Sequence, residues 1–483
     1  MTNQQNKKFW SSIGQPIFAF GCLLVVALLM AACGSSSNTT SNPATSMANV
    51  NVSLSDPATC AAPDGPYSHV YITISDVQAS TSATAGATDS GWVDLTPNLS
   101  TSPKQIDLLG QANNQCFLAT LGATQELQAG TYQQIRLILA ANSLNPSGNA
   151  CGAAANCVIL TSDSSVHTLQ LSSESQTGIK IPSGQIASGG FTIAAGETKD
   201  LNIDFNACCS ILKEGNGAYR LKPVLHAGEV STTSSSINGK VLDAATGNPV
   251  SGSVLVALEQ KDSTGVDRVT MSTLTGSDGT FVFCPLPSGT YDVVIVGTRT
   301  DGTLYEPSIV TGVATGSTTG TVNLHLPSVT TTSSASLAGI VTSQNSTPSG
   351  TVADVQLSVL ETVNSVVYTI PLPLTSTQSS ASLALETAAS TSSLTCPTGT
   401  DCAGYTMWIS SGGPYYGAWS SSGATLTQSS LQASYIVDGM AFVPSSGGTA
   451  DCSVSELKSS AITLGATGPY IVTVPTIIFT GCQ

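Results

Sequence analysis

A chain of 483 residues with 41% hydrophobic side chains has material for about two to four domain cores and is not a disordered polymer. Only 9% of the residues are charged and 5% aromatic, against roughly 25% charged in ordinary soluble domains, so hydroxyls and backbone carry the solubility. The net charge is −15, or −17 once Lys7 and Lys8 of the N-terminal segment are set aside, which argues against a phosphate-binding surface and against nucleic acid as a partner.

Lys7 and Lys8 precede an apolar run over residues 17–29, long enough for the core of a secretory signal and short of the ~20 residues that span a bilayer. The run ends in Met30-Ala31-Ala32-Cys33-Gly34, which resembles the bacterial lipoprotein box, with Met30 where Leu is usual. The resemblance implies a signal peptide over residues 1–32 and acylation of Cys33, palmitate included. Several chains at about 0.8 kcal/mol per buried methylene make a stable anchor. Gly34 stands where members kept at the inner membrane carry Asp, so in a Gram-negative cell the outer membrane is the implied destination. Ordinary signal cleavage near Ala32 is the competing reading. Residues 33–48, rich in Ser, Asn, Thr and Pro, read as a flexible spacer.

Of thirteen cysteines, eleven follow the anchor, and in an exported chain they favour disulfides within domains. Cys60, Cys116, Cys151, Cys157, Cys208 and Cys209 fall in the first segment, and Cys396, Cys402, Cys452 and Cys482 in the last. Cys151 with Cys157 and Cys396 with Cys402 enclose small loops and suggest local staples. Connectivity otherwise stays open. No Cys-x-x-Cys pair occurs, so zinc is the weaker use of these thiols. Cys284 stands alone in the middle segment and reads as a small buried hydrophobe.

Ser/Thr tracts at residues 231–236 and 328–336 divide the rest into segments 49–230, 237–328 and 337–483. Alternation at Val70, Ile72 and Ile74, the run at residues 135–139 and Phe191-Thr192-Ile193 read as strands, and no segment sustains a 3.6-residue apolar period. The expectation is an all-β chain of three tandem β-sandwich modules.

In the first segment, residues 70–77, Gly91-Trp92-Val93-Asp94-Leu95, Ile106-Asp107-Leu108-Leu109, residues 127–137 and Tyr219-Arg220-Leu221-Lys222-Pro223-Val224 together resemble a bacterial lipoprotein domain, domain of unknown function 4382. That resemblance implies location but no chemistry. The second segment carries Ile237-Asn238-Gly239-Lys240-Val241, Gly276-Ser277-Asp278-Gly279-Thr280-Phe281 and Leu286-Pro287-Ser288-Gly289-Thr290-Tyr291 in an order that resembles carboxypeptidase regulatory-like domains. These are transthyretin-like, seven-stranded sandwiches related in shape to starch-binding domains. The third segment, with Lys458 as its one base, opens like a diverged second sandwich.

Four histidines leave little room for a metal site or a triad. His226-Ala227-Gly228-Glu229 matches a His-x-x-Glu zinc motif of metallocarboxypeptidases, but it ends a β-module, and His325 is the one later histidine. His69 and His167 have no ligand partners at suitable spacing. The acids of Ser277-Asp278-Gly279 and Asp200-Leu201-Asn202-Ile203-Asp204 lack a closely packed calcium loop. No metal or cofactor is therefore expected.

The aromatic group Tyr405, Trp408, Tyr415, Tyr416 and Trp419 is the candidate ligand-binding patch, with core packing as the competing use. The sequence thus reads as a lipid-anchored cell-surface binding protein, not an enzyme, whose leading ligand class is polysaccharide through its β-sandwich modules. The alternative is a structural or adhesive surface scaffold, whose partner would be a surface protein, and a zinc peptidase is the third reading.

Overall fold

The computed structural model describes residues 46–56, 66–111, 118–171, 174–213, 217–230, 236–284, 286–327, 334–344, 354–372, 382–384, 396–442, 452, 456–464 and 470–482. The signal segment, Cys33, Cys60 and Cys116 lie outside the described residues, as do the side chains of Cys208 and Cys209. Among the described residues, strands dominate; the α-helical content is one short turn, Ala207–Ser210. The chain is all-β, as its periodicity predicts.

In the first segment, strand β1 (Met47–Ser55) and β2 (Tyr67–Ser80) belong to two facing sheets. β2 pairs antiparallel with β3 (Gln134–Leu139), while β1 runs parallel to β4 (Thr198–Phe205), which in turn pairs antiparallel with β5 (Leu225–Val230). The buried apolar positions of β2 are even at Val70, Ile72 and Ile74 and odd at Val77 and Ala79. A bulge between Ile74 and Asp76 in the pairing with β3 adds the residue that shifts the parity, so both halves of the strand face one core.

The second segment holds seven strands: β6 (Ile237–Asp243), β7 (Ser253–Lys261), β8 (Val266–Leu274), β9 (Thr280–Phe283), β10 (Thr290–Thr298), β11 (Ser308–Ala314) and β12 (Thr318–Leu324). The order β9-β6-β12 forms a three-stranded sheet, and β11-β10-β7-β8 runs within the sheet that faces it. The Asp278-Gly279 turn joins β8 to β9. Gly279 sits at φ 82°, where an L side chain is strained, and the Asp278 carboxylate accepts the Thr280 N–H at 3.0 Å.

β7 reads Val254-Leu255-Val256-Ala257-Leu258, an unbroken apolar run. Val254, Val256 and Leu258 enter the core of the second segment, with Val293, Ile295 and Val310. Leu255 points the other way, with Val294, Val296 and Ile309, into a core built mainly from the third segment. The unbroken run therefore marks a sheet covered on both faces, and each such side chain contributes about 1.5–3 kcal/mol by burial.

The third segment supplies β13 (Ser334–Gln344), β14 (Asp354–Val363), β15 (Val366–Ile370), β16 (Thr400–Ser410), β17 (Tyr415–Ala418) and β18 (Ser434–Phe442). β15 pairs parallel with β8 at one side of the middle sheet, and β17 pairs parallel with β11 at the other. One 12-stranded sheet thus runs through the second and third segments, and β13 and β16 form part of the four-stranded sheet that belongs to the same third core. Gly339 of β13 lies under the Tyr405 ring of β16, so close that a Cβ there would stand 2.7 Å from Cζ.

Three disulfides close among the described residues: Cys151–Cys157, Cys396–Cys402 and Cys452–Cys482. The first two are the local staples that the small loops suggested. Cys284 differs from its expected role, since it is buried and also disulfide-bonded, not a solitary thiol.

Candidate functional site

Four of the five candidate aromatic residues are divided between two sheets, and Trp419 directly follows β17. Tyr405 and Trp408 stand three apart on β16 and project to opposite faces, because side chains alternate along a strand. Tyr405 is buried in the third core, and Trp408 is half-buried. Tyr415 and Tyr416 are successive on β17 and also diverge. Tyr415 stacks on His325 with ring centres 4.1 Å apart, whereas Tyr416 packs on the third core, 6.4 Å from the Tyr368 ring. Trp419 packs against the core of the second segment and donates its indole N–H to the Thr318 carbonyl at 2.8 Å. These side chains form no common face, and Tyr415 and Trp419 fasten the third segment to the second.

A cluster of buried charge lies where those segments meet. Arg268 of β8, 1% exposed, reaches three carboxylates: Asp262 at 3.1 Å, Asp438 of β18 at 2.7 Å and Glu456 at 2.9 Å. A guanidinium presents its donors in a planar fork, so one side chain can serve several acids at fixed angles. A desolvated group of this kind gives little net stability against an apolar equivalent, but breaking it leaves charges stranded.

Further carboxyls face the same seam. Glu259 of β7 and Asp292 of β10 are cross-strand partners, and Asp267 of β8 is paired with Tyr368 of β15. Burial raises the pKa of all three, Asp267 to about 7 and Glu259 well above the ordinary value. Glu259 accepts the Thr369 N–H at 3.2 Å, joining β7 to β15. Asp204 of β4 accepts from Ser55 at 2.7 Å and from Ser272 of β8 at 2.6 Å, linking the first segment to the second, and burial lifts it to about 6.

The His-x-x-Glu motif lies on β5, where three-residue spacing sends the two side chains to opposite faces. His226 lines a small cavity of about 50 Å³ between the segments, and burial, with Arg268 nearby, pushes its pKa down to about 4. Glu229 is held by Lys199 at 2.6 Å. Among the described residues no three His, Cys, Asp or Glu side chains are grouped to hold a metal ion. His69 meets Asp107 at 2.7 Å, His167 meets Ser165 at 2.8 Å, and the Asp278 carboxylate caps its own turn.

Sequence reasoning missed the Arg268 cluster. The available signal was Asp267-Arg268 near the start of a strand that is otherwise uncharged, a place where a charge is either exposed or partnered.

Residues 47–223 match the family model described as Domain of unknown function (DUF4382). No curated protein matches the chain. Among solved structures, a DUF3823 family protein from Bacteroides uniformis aligns at 18% identity over 48% of this chain and 99% of its own, with a TM-score of 0.15. The shaft pilin SpaA of Lactobacillus rhamnosus aligns at 12% identity over 58% of this chain and 97% of its own, also at a TM-score of 0.15. A minor pilin of Streptococcus agalactiae aligns at 12% over 52% and 97%, again at 0.15. At that TM-score the likeness carries no functional inference.

Proposed function

We propose that this chain is a non-catalytic surface scaffold of structural or adhesive type, anchored to its membrane through acylated Cys33. The observation that carries this reading is the 12-stranded sheet shared by the second and third segments, fastened by Arg268. Such joining stiffens the link between modules, which suits a body that holds a face at a distance from the membrane. The seven strands of residues 237–324, split three and four, support reading that segment as a carboxypeptidase regulatory-like sandwich. The packing of Tyr415 and Trp419 favours the scaffold over a polysaccharide platform built from the aromatic group.

The test uses the full-length gene in a bacterial host that processes lipoproteins. Mass spectrometry of the N-terminal peptide should find acyl chains on Cys33, and cells displaying the protein should gain retention on a host-matrix or abiotic surface under flow. Release of the protein into the medium by Cys33→Ala, with loss of that retention, is the expected result. An unmodified Cys33, or retention equal to that of cells lacking the chain, overturns the reading.

A further inference from the structure

A cleft of about 360 Å³ opens between the first segment and the second, lined by Ser188, Phe191, Lys199, Glu229, Gln260 and Tyr291 among others. Its volume falls within the ~300–1,000 Å³ of small-molecule sites. We propose that this cleft binds a neutral, polyhydroxylated molecule the size of a single sugar residue. The inference stands apart from the scaffold reading and concerns none of the aromatic residues singled out in the sequence.

The charge of the cleft argues for neutrality. Among the described lining residues Lys199 is the one cation, and it is engaged by Glu229 at 2.6 Å with Glu197 at 3.9 Å, so its charge is already partnered. A cationic ligand would compete with Lys199 for Glu229. The remaining polar side chains of the described lining are the hydroxyls of Ser188, Thr192, Ser288 and Tyr291 and the amide of Gln260. Each both donates and accepts, which matches sugar hydroxyls that do the same.

The Gln260 side chain makes no hydrogen bond to a described residue, and the Tyr291 hydroxyl, on a ring 2% exposed, has the Pro287 carbonyl at a long 3.5 Å. Bonding capacity is thus left open where a ligand would sit. Pro287, half-buried, offers apolar surface to the C–H face of a ring, and Ile186, Phe191 and Tyr291 line the cleft while almost fully buried. The backbone at one wall is also unusual. Ser188 is held at φ 64°, followed by Gly189 at 73° and Gly190 at 155°. A non-glycine residue in the left-handed region is retained where surrounding structure enforces it, and such residues gather at ligand-binding loops.

Saturation-transfer NMR on the full-length protein in detergent tests the assignment, with D-glucose, D-galactose, D-mannose and N-acetyl-D-glucosamine as sugar probes and glycine betaine and inorganic phosphate as charged ones. At least one sugar should show transfer that falls five-fold or more in Gln260→Ala and in the cleft-filling Ser288→Trp. Ser288 is exposed, so the unfolding midpoint of that variant should stay unchanged; Thr192→Trp, at another exposed position of the lining, gives the same readout if it does not. Transfer to no sugar, equal transfer in the filled variants, or transfer to betaine or phosphate alone overturns the proposal.

Discussion

Arg268 Nη1 lies 2.7 Å from Asp438 Oδ2, across 170 positions of sequence, with both side chains almost fully removed from solvent. The second segment supplies the cation and the third supplies the acid. Replacing Arg268 with Met leaves the Asp438 and Asp262 carboxylates buried without the guanidinium that bonds both, and breaking such a group costs about 3–5 kcal/mol. Urea unfolding at pH 7 should register that loss. A change below about 1 kcal/mol would mean that the carboxyls already hold protons there.

Several buried acids predict an inverted pH dependence. Glu361 is raised by burial to about 8, Asp267 and Glu306 to about 7 and Asp204 to about 6. Unfolded carboxyls titrate near 4, so between about pH 4 and pH 8 the folded chain holds protons that the unfolded chain has released. Stability then falls as pH rises through that window, because the unfolded state binds fewer protons. The midpoint of thermal unfolding should be higher at pH 5 than at pH 8. Glu361→Gln should raise stability at pH 8 and leave it nearly unchanged at pH 4.

Gly339 is fixed by the ring that covers it. A Cβ would approach Tyr405 Cζ to 2.7 Å, and the aromatic ring is held in a packed core. Gly339→Ala should destabilise by about 1–3 kcal/mol through overpacking. Adding Tyr405→Leu should recover part of that loss, which a double-mutant cycle in urea would measure.

Trp419 separates packing from ligand binding. Its indole covers the second core and bonds to Thr318. Trp419→Ala should lower stability by about 2 kcal/mol, near the value for burying one large apolar side chain. The glycan-array profile of the variant should match that of the parent. Loss of sugar binding with unchanged stability would restore this residue to a ligand site.

Loop length ranks the disulfides. Cys452–Cys482 spans 30 residues and Cys151–Cys157 spans 6. In the chain-entropy account, removing the first pair should cost about 3–4 kcal/mol and removing the second about 2 kcal/mol. Paired Cys-to-Ser variants compared by chemical unfolding would check the order.

Much of the architecture was legible in the chain. Val70, Ile72 and Ile74 announced a strand because alternation can bury only one face, and Asp278-Gly279 announced a turn because Gly279 tolerates a positive φ. Cys151 and Cys157 were close enough in sequence to suggest their own bond. The aromatic group was less legible. Its five residues are near one another in sequence, but strand alternation sends neighbours to opposite faces, and only the pairing of β17 with β11 places Tyr415 on His325.

The sequence by itself determined the strands, the turns and the low charge of this protein, since these follow from local periodicity, backbone preference and composition. It even recorded, in the unbroken run of residues 254–258, that β7 is covered on both faces. What covers the second face was decided by tertiary structure alone. Leu255 shares a core with Val355 and Leu357 of a later segment, and Arg268 meets Asp438, so the partners are separated by about a hundred residues or more. Local preference carries no information about such distant partners; packing and desolvation select them only when the sheets come together.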